Sequence, residues 1–483
     1  MKEINEYTAE VFRRSENRIK KRKRKRNRIL AICIPLCLAL IVSCFAALPA
    51  MKDKAPQGEG LLNTDSEGSE NDLHDGSDIP IGETVDNAGN GTGNVHAKYL
   101  MAGITPNYVS TLSSLSAQNA TVTDFAVRLF KASEENGENT LISPLSVLCA
   151  LAMTANGAEE ETLRQMEEVL GMTTEQLNLY LYTYMENLPE GDKYKLSLAN
   201  SVWFTDDDRF TVNRDFLQTN ADYYGADIYG APFNDQTLDD INNWVNQNTD
   251  GMIPKILDKI PASAIMYLVN ALAFEAEWYE TYTEDQVGEG KFTKEDGTEQ
   301  TVEFMHSIEG TYFEDENAIG FKKYYKGGKY AFVAMLPNEG VSVSEYVASL
   351  DGAALNALLA NPEYATVYAA IPKFETEYDT EMSDVLKSMG MTDAFDSSNA
   401  DFDGLGTSDV GNIFISRVLH KTFISVGEKG TKAGAATVIE METEGYMEPE
   451  NPKQVYLDRP FVYMLVDCEN NIPFFIGTMM DIA

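Results

Sequence analysis

Residues 427–444 have the sequence GEKGTKAGAATVIEMETE, which joins a run of small residues to a strict period-two alternation. One side of the alternation carries no charge and consists of Thr431, Ala433, Ala435, Thr437, Ile439, Met441 and Thr443. The other side consists of Lys432, Gly434, Ala436, Val438, Glu440, Glu442 and Glu444. This pattern is typical of a strand with one buried and one solvated face. The segment nevertheless follows a predicted strand and precedes a Pro-rich tail, where a long loop is expected. We therefore predict a segment with two states, an exposed loop and a strand.

Five other motifs occur along the chain in a fixed order. They are NTLISPLSV at 139–147, VNALAFEAEW at 269–278, VLHKTF at 418–423, DRPFVY at 458–463 and PFFIG at 473–477. Together with residues 427–444 they resemble the serpins, a family of suicide inhibitors of proteases, over about the last three quarters of the chain. The resemblance implies mixed β-sheets, eight or nine helices and an exposed reactive-centre loop.

Hydrophobic periodicity and turn residues predict the same α+β class. Helices are predicted at 123–131, 144–155, 160–170 and 238–249. Strands are predicted at 196–204, 265–274, 330–336, 366–374, 413–426 and in two C-terminal runs. Helices come early and strands dominate late without βα alternation, which favours an α+β architecture over a doubly wound one.

The resemblance assigns residues 427–444 a mechanism. A protease attacks the loop as a substrate, and the cleaved loop then inserts into the main sheet and distorts the bound protease. The hinge residues that it implies are Glu428, Gly430, Thr431, Ala433, Gly434, Ala435, Ala436 and Thr437. No Pro occurs from Gly430 to Thr443, and a Pro there would remove a ladder hydrogen bond. The chain is expected to supply the cleaved bond and the speed of insertion, and no catalysis.

The position of the cleaved bond stays open between two choices. The family's usual spacing from the hinge glycine Gly430 leads to Glu444, with Gly445 on the leaving side, which suits a Glu-specific protease. The loop continues for several residues, so Tyr446 and Met447 are alternatives. Tyr446 would suit a chymotrypsin-like protease, and Met447 would suit an elastase-like one.

Further residues match family positions that control insertion. Ser143, Ser146, Asn270 and His420 match the shutter, a buried hydrogen-bonded cluster beneath the strands that must part. Trp278 matches the breach, where the loop first enters. Lys373 and Glu428 match an ion pair that closes this region, and we expect them to lie within ion-pair distance.

The N-terminal part of the chain predicts a membrane tether. Residues 1–28 carry twelve Lys and Arg against four Glu, and residues 29–51 contain no charge. An apolar run of that length can cross a bilayer, and the basic leader would stay in the cytoplasm. We therefore expect a single-pass anchor at 29–51, a flexible acidic linker at 52–115 and an external domain at 116–483. A lipoprotein processed at Cys44, within a bacterial lipobox-like sequence, and a secreted form remain alternatives.

Composition argues against several other classes of protein. The net charge of −38 disfavours binding to nucleic acid. No GxSxG, HExxH or CxxC motif is present, so we expect neither an enzyme nor a metal site or cofactor. The expected partners of this monomer are serine proteases of chymotrypsin-, elastase-, subtilisin- or Glu-specific type. The alternative is a non-inhibitory serpin that acts as a surface binding module or is merely cleaved.

Overall fold

A computed structural model describes residues 95–135, 137–189, 191–206, 210–261, 264–409, 411–431 and 451–482. The predicted leader, anchor and most of the predicted linker lie outside these ranges. Within them, no helix is both long enough and apolar enough to cross a membrane.

Nine α-helices occur in the described residues. They are α1 (Ser116–Ser133), α2 (Pro144–Ala155), α3 (Glu160–Leu170), α4 (Thr174–Glu186), α5 (Arg214–Tyr224), α6 (Asp235–Asn248), α7 (Val343–Ser349), α8 (Gly352–Ala360) and α9 (Ser383–Ser388). Local sequence explains their ends. The Ser143 side chain accepts from the Ser146 amide at the start of α2, where Pro144 occupies the first turn. Gly171, with φ of 80°, ends α3 in the left-handed conformation.

The strands form four sheets. The first strands in chain order are β1 (Lys98–Tyr99), β2 (Thr140–Ile142), β3 (Tyr194–Thr205), β4 (Phe210–Val212), β5 (Asp227–Ala231), β6 (Met266–Glu277), β7 (Val287–Thr293), β8 (Glu299–Glu309), β9 (Tyr312–Glu314) and β10 (Ala318–Tyr324). The later ones are β11 (Tyr330–Pro337), β12 (Val367–Pro372), β13 (Phe374–Glu381), β14 (Gly406–Ser408), β15 (Arg417–Gly427), β16 (Gly430–Thr431), β17 (Lys453–Tyr456), β18 (Phe461–Asp467) and β19 (Ile472–Met479). The predicted strand 366–374 is thus two strands, divided at Lys373.

The largest sheet, here called the main sheet, has the strand order β1-β5-β3-β6-β16-β15-β13. A second sheet has the order β2-β19-β18-β11-β10-β9, a third β17-β12-β8-β7, and a fourth pairs β14 with β4. Every position of β11, β18 and β19 is buried. The second sheet is therefore the centre of the core, and the main sheet lies between it and α6. Such a mixed-sheet α+β architecture agrees with the class predicted from the sequence.

The segment 95–115, which composition placed in the linker, lies against the domain. The backbone amides of His96 and Ala97 both donate to the buried carboxylate of Asp240 at 2.9 Å. Lys98 and Tyr99 then pair with β5 as an edge strand of the main sheet. Further on, the Leu112 amide donates to Thr183 Oγ1 at 2.9 Å. Hydrogen bonds to partners distant in sequence hold this segment, so the flexible linker expected at 52–115 does not extend to residue 115.

Candidate functional site

The hinge is the two-residue strand β16, which lies between the two central strands of the main sheet. Gly430 and Thr431 pair with Glu277 and Ala276 of β6 on one side. They pair with Gly427 and Val426 of β15 on the other side. The first residues of the alternating segment therefore already occupy a position inside the sheet.

Gly430 is held in a position that no larger residue could occupy. Its φ is 153°, and a Cβ atom built on it would lie 1.9 Å from the carbonyl oxygen of Ala276. That distance is far inside van der Waals contact, so any side chain would push the hinge away from β6. The glycine is required by close backbone approach at this point.

Thr431 is the first side chain to enter the sheet, and it is fully surrounded. It is 1% exposed, and its hydroxyl is 2.5 Å from the hydroxyl of Tyr325. The Tyr325 ring stacks on Trp278, with centroids 4.4 Å apart and an angle of 9° between the ring planes. Both aromatic residues are fully buried. Trp278, the predicted breach residue, therefore lies directly beneath the inserted hinge.

Trp278 and Tyr282 also hold the backbone that leads into the hinge. The indole Nε1 of Trp278 donates to the Gly427 carbonyl at 2.8 Å. The Trp278 amide donates to the Lys429 carbonyl at 2.8 Å, and the Tyr282 amide donates to the Glu428 carbonyl at 2.9 Å. Three consecutive carbonyls of the hinge turn are thus satisfied from one segment of chain.

Lys373 ties the same turn to a neighbouring sheet. Its Nζ forms an ion pair with Glu428 and another, at 2.9 Å, with Glu303. Partial burial opposes the positive charge of Lys373, but hydrogen bonds to Glu428 and Glu303 raise its pKa. Burial likewise opposes ionisation of Glu428, yet the hydrogen bond to Lys373 lowers its pKa. The ion pair expected between Lys373 and Glu428 is therefore present in the structure.

The predicted shutter residues lie where β6 and β15 come together. In the described residues these two strands pair directly only through Arg417–Tyr267, Val418–Leu268 and Leu419–Val269. His420 and Asn270 are the next residues of each strand, and both are buried. The structure thus places them at the point where direct pairing of β6 with β15 ends.

The contacts of the shutter differ in part from the expectation of one cluster. The Ser143 amide donates to His420 Nε2 at 3.0 Å, and Ser143 Oγ accepts from the Ser146 amide at 3.4 Å. Asn270 instead donates from its side chain to the Asn200 side chain on β3. Complete burial lowers the pKa of His420 to about 4, so its ring is neutral at pH 7. This neutral state is required for Nε2 to accept from Ser143.

Several predicted residues lie outside the described part of the chain. They are Ala433, Gly434, Ala435, Ala436, Thr437, Glu444, Gly445, Tyr446 and Met447.

Other residues of the site were not found from the sequence. Tyr325 carries the hydrogen bond to Thr431, and it occurs in an ordinary aromatic stretch that gave no sign of this contact. Lys323 and Glu309, which lie beneath Trp278 and Tyr282, belong to separate strands. Only the fold brings them together.

The fold and the hinge together define a protein of the serpin family, and the chain belongs to it. Residues 120–482 match the family model described as serpin (serine protease inhibitor). Proteins of this family are generally inhibitors of proteases and not enzymes.

Individual relatives span most of this chain. A crystal structure of tengpin, a thermophilic serpin, in the native state is 50% identical, has a TM-score of 0.77, and covers 80% of this chain and 100% of its own. An uncharacterised serpin-like protein of Thermococcus kodakarensis is 29% identical over 371 residues, which are 74% of this chain and 84% of the relative. Human serpin B10 is 27% identical over 394 residues, covering 74% of this chain and 98% of its own.

Proposed function

We propose that this chain is a suicide-substrate inhibitor of extracellular serine proteases, which acts by cleavage and insertion of the loop that follows Thr431. One observation carries the proposal: Gly430 and Thr431 are already paired between β6 and β15. A cleaved loop would therefore lengthen an existing strand and would not have to start a new one. Starting a strand is the costly part of its formation, since loop closure precedes any contact.

The register of β16 tells which loop residues would meet which positions of the sheet. Thr431 lies opposite Ala276 and Val426. Continued without a shift, the same antiparallel register puts Thr437 level with both Asn270 and His420. The inward side of the alternating segment would thus bring a hydroxyl to the shutter.

The inward side chains are also of suitable size. In this register Ala433 would lie between Phe274 and Ile424, both of which are buried. Side chains that lie directly opposite in a sheet have Cβ atoms only about 5 Å apart. An Ala fits beside Phe and Ile without displacing them, whereas a large side chain would overpack this layer.

Insertion beyond Thr437 requires the shutter to open. Residues 438–440 would occupy the positions at which Leu419, Val418 and Arg417 now pair with β6. These three pairs must separate before the strand can be completed. The contact of His420 with Ser143 lies next to the first of them and would set part of the barrier.

The length of the inserted strand explains how a protease would be inactivated. Glu444 lies thirteen positions after Thr431, and an extended strand rises about 3.3 Å per residue. A protease attached at Glu444 would therefore be carried roughly 45 Å along the sheet. The native fold would store the energy for this movement as a kinetic trap.

We propose Glu444–Gly445 as the cleaved bond, with Tyr446 and Met447 as alternatives. We further propose that residues 29–51 hold the domain at the outer face of a membrane, where it meets proteases. The charge pattern of the leader and the apolar run support this placement.

The test is an SDS-gel assay of the purified chain against a Glu-specific, a chymotrypsin-like, an elastase-like and a subtilisin-like protease. The expected result is an SDS-stable band at the summed mass with at least one protease. Mass spectrometry of the released C-terminal peptide would identify the cleaved bond. A protease whose catalytic Ser is replaced by Ala is the control and should give no such band. Cleavage within 440–450 without a stable band for any protease would refute the mechanism and favour the non-inhibitory alternative.

A further inference from the structure

A buried ion pair lies beneath the aromatic side chains that hold the hinge. Lys323, on β10, is 3% exposed, and its Nζ is 2.9 Å from Glu309 Oε1 at the end of β8. The same nitrogen lies 4.4 Å from the ring centroid of Tyr282 and 5.5 Å from that of Trp278. A lysine charge is thus enclosed by one carboxylate and two aromatic rings.

Glu309 is held in place by further polar contacts. Its Oε1 accepts from Ser307 Oγ at 2.6 Å as well as from Lys323. The Ser307 hydroxyl is in turn 3.3 Å from the hydroxyl of Tyr282. The Glu309 carboxylate therefore holds both groups that contact Tyr282: Lys323 at the ring and Ser307 at the hydroxyl.

The lysine remains charged in this site. Burial opposes the positive charge, but Glu309 and Tyr282 overcome that effect and raise the pKa of Lys323 above its ordinary value. A cation over the face of an aromatic ring is attracted by the negative charge of the π-system, most strongly when both are removed from water. Cation–π attraction to Lys323 therefore holds the rings of both Tyr282 and Trp278 close to the same ammonium group.

The two aromatic residues contact the hinge through one side-chain and two backbone hydrogen bonds. The Trp278 indole Nε1 donates to the Gly427 carbonyl. The backbone amides of Trp278 and Tyr282 donate to the carbonyls of Lys429 and Glu428. A shift of either aromatic residue would move the turn that presents Gly430 and Thr431 to the sheet. Replacing a buried ion pair by apolar groups is commonly neutral for stability, so stability alone is a weak reason for a charge here.

We propose that Lys323 and Glu309 are positioning residues for loop insertion, which orient Trp278 and Tyr282 so that the hinge stays seated between β6 and β15 before cleavage. This inference rests on the proposed inhibitory function and deepens it. It assigns the seating of the hinge to an ion pair on β8 and β10, two strands outside the main sheet.

The test uses the full chain in a mild non-ionic detergent and compares four variants with the wild type. Lys323→Met with Glu309→Gln removes both charges and keeps the side-chain lengths and an acceptor for Ser307. Glu309→Gln alone is the second variant and leaves the buried Lys323 charge without its carboxylate, and Lys323→Arg keeps the charge. Lys322→Met is the matched control, because Lys322 is equally buried on β10 but contacts Phe313 and Tyr324 on the opposite face.

Three quantities are measured: the melting temperature, amide hydrogen exchange of the peptide that covers 425–431, and the number of inhibitor molecules consumed per protease trapped. We expect the double variant to melt as the wild type does but to exchange about tenfold faster at the hinge, the factor for a loss of ~1.4 kcal/mol. It should also consume more inhibitor per trapped protease. Glu309→Gln should shift in the same direction, while Lys323→Arg and Lys322→Met should stay close to the wild type.

Unchanged hinge exchange in both the double variant and Glu309→Gln would overturn the proposal. An increase that is equal across all peptides of the main sheet would overturn it too, because the pair would then be merely structural. If the wild type traps no protease, the proposed function fails, whereas the exchange data still decide whether the pair positions the hinge.

Discussion

A carboxylate introduced at Thr431 is expected to convert the inhibitor into a substrate. The side chain of Thr431 is 1% exposed and contacts the hydroxyl of buried Tyr325. Lys323, a buried cation near Trp278, already pairs with Glu309. Thr431→Glu would therefore bury a charge without a partner, which costs several kcal/mol.

The magnitude follows from the competition between insertion and deacylation. If the buried charge raises the barrier to insertion by about 3 kcal/mol, insertion slows about 150-fold. The ratio of trapped to released protease should fall by the same factor, because deacylation is unaffected. Titration of a fixed amount of protease with the variant, followed by an SDS gel, measures this ratio directly.

Lys429→Glu is the control for added negative charge. Lys429 is exposed and adjoins Gly430, so its substitution changes the charge more than Thr431→Glu does but buries nothing. We expect the control to inhibit as the wild type does. A Thr431→Glu variant that still traps protease with wild-type efficiency would show that Thr431 does not stay in the sheet, and the reasoning would fail.

Three other perturbations have expected outcomes. The pKa of His420 is about 4 in the folded chain and about 6.5 in the unfolded chain, so the stabilisation by neutral His420 is complete above pH 6.5 and is lost as the pH falls toward 4. The free energy of unfolding should drop by about 2 kcal/mol between pH 7 and 5. Melting curves of His420→Gln over this pH range should lack this part of the pH dependence. Lys373→Met should destabilise the chain by about 1 kcal/mol, less at high salt, because its partner Glu428 is partly exposed; denaturant titrations at two salt concentrations measure this. Asp240→Ala leaves the backbone amides of His96 and Ala97 without their acceptor and should weaken the attachment of residues 95–106 by about 1–3 kcal/mol. Limited proteolysis should then cut this segment faster than in the wild type, and an unchanged rate would contradict the prediction.

Regular local signals explain which elements could be predicted from the sequence. The helix 144–155 was predicted with the bounds that the structure gives, because Ser143 and Pro144 mark its start and an apolar run defines its body. The helix at Thr174–Glu186 was missed, although Thr173 and Gln176 form a capping box there. Its mixture of Tyr, Leu and polar residues shows little helical periodicity, so the capping box was the main sequence signal for a helix there.

Contacts between distant segments could not be predicted in the same way. The resemblance to the serpins supplied the pairing of Lys373 with Glu428, since both match family positions that control insertion. Nothing comparable pointed to Tyr325 beside Thr431 or to Lys323 beside Glu309. These pairs depend on how the main sheet lies against the second and third sheets, and a single sequence does not carry that arrangement.

The central claim is that the cleaved loop enters the main sheet between β6 and β15. Hydrogen exchange of residues 270–275 and 420–425, measured before and after cleavage by a protease from the panel, tests it most directly. The account predicts that cleavage greatly slows exchange in both segments, because the inserted strand would pair with each of them. Equal exchange before and after complete cleavage of the loop would contradict the account.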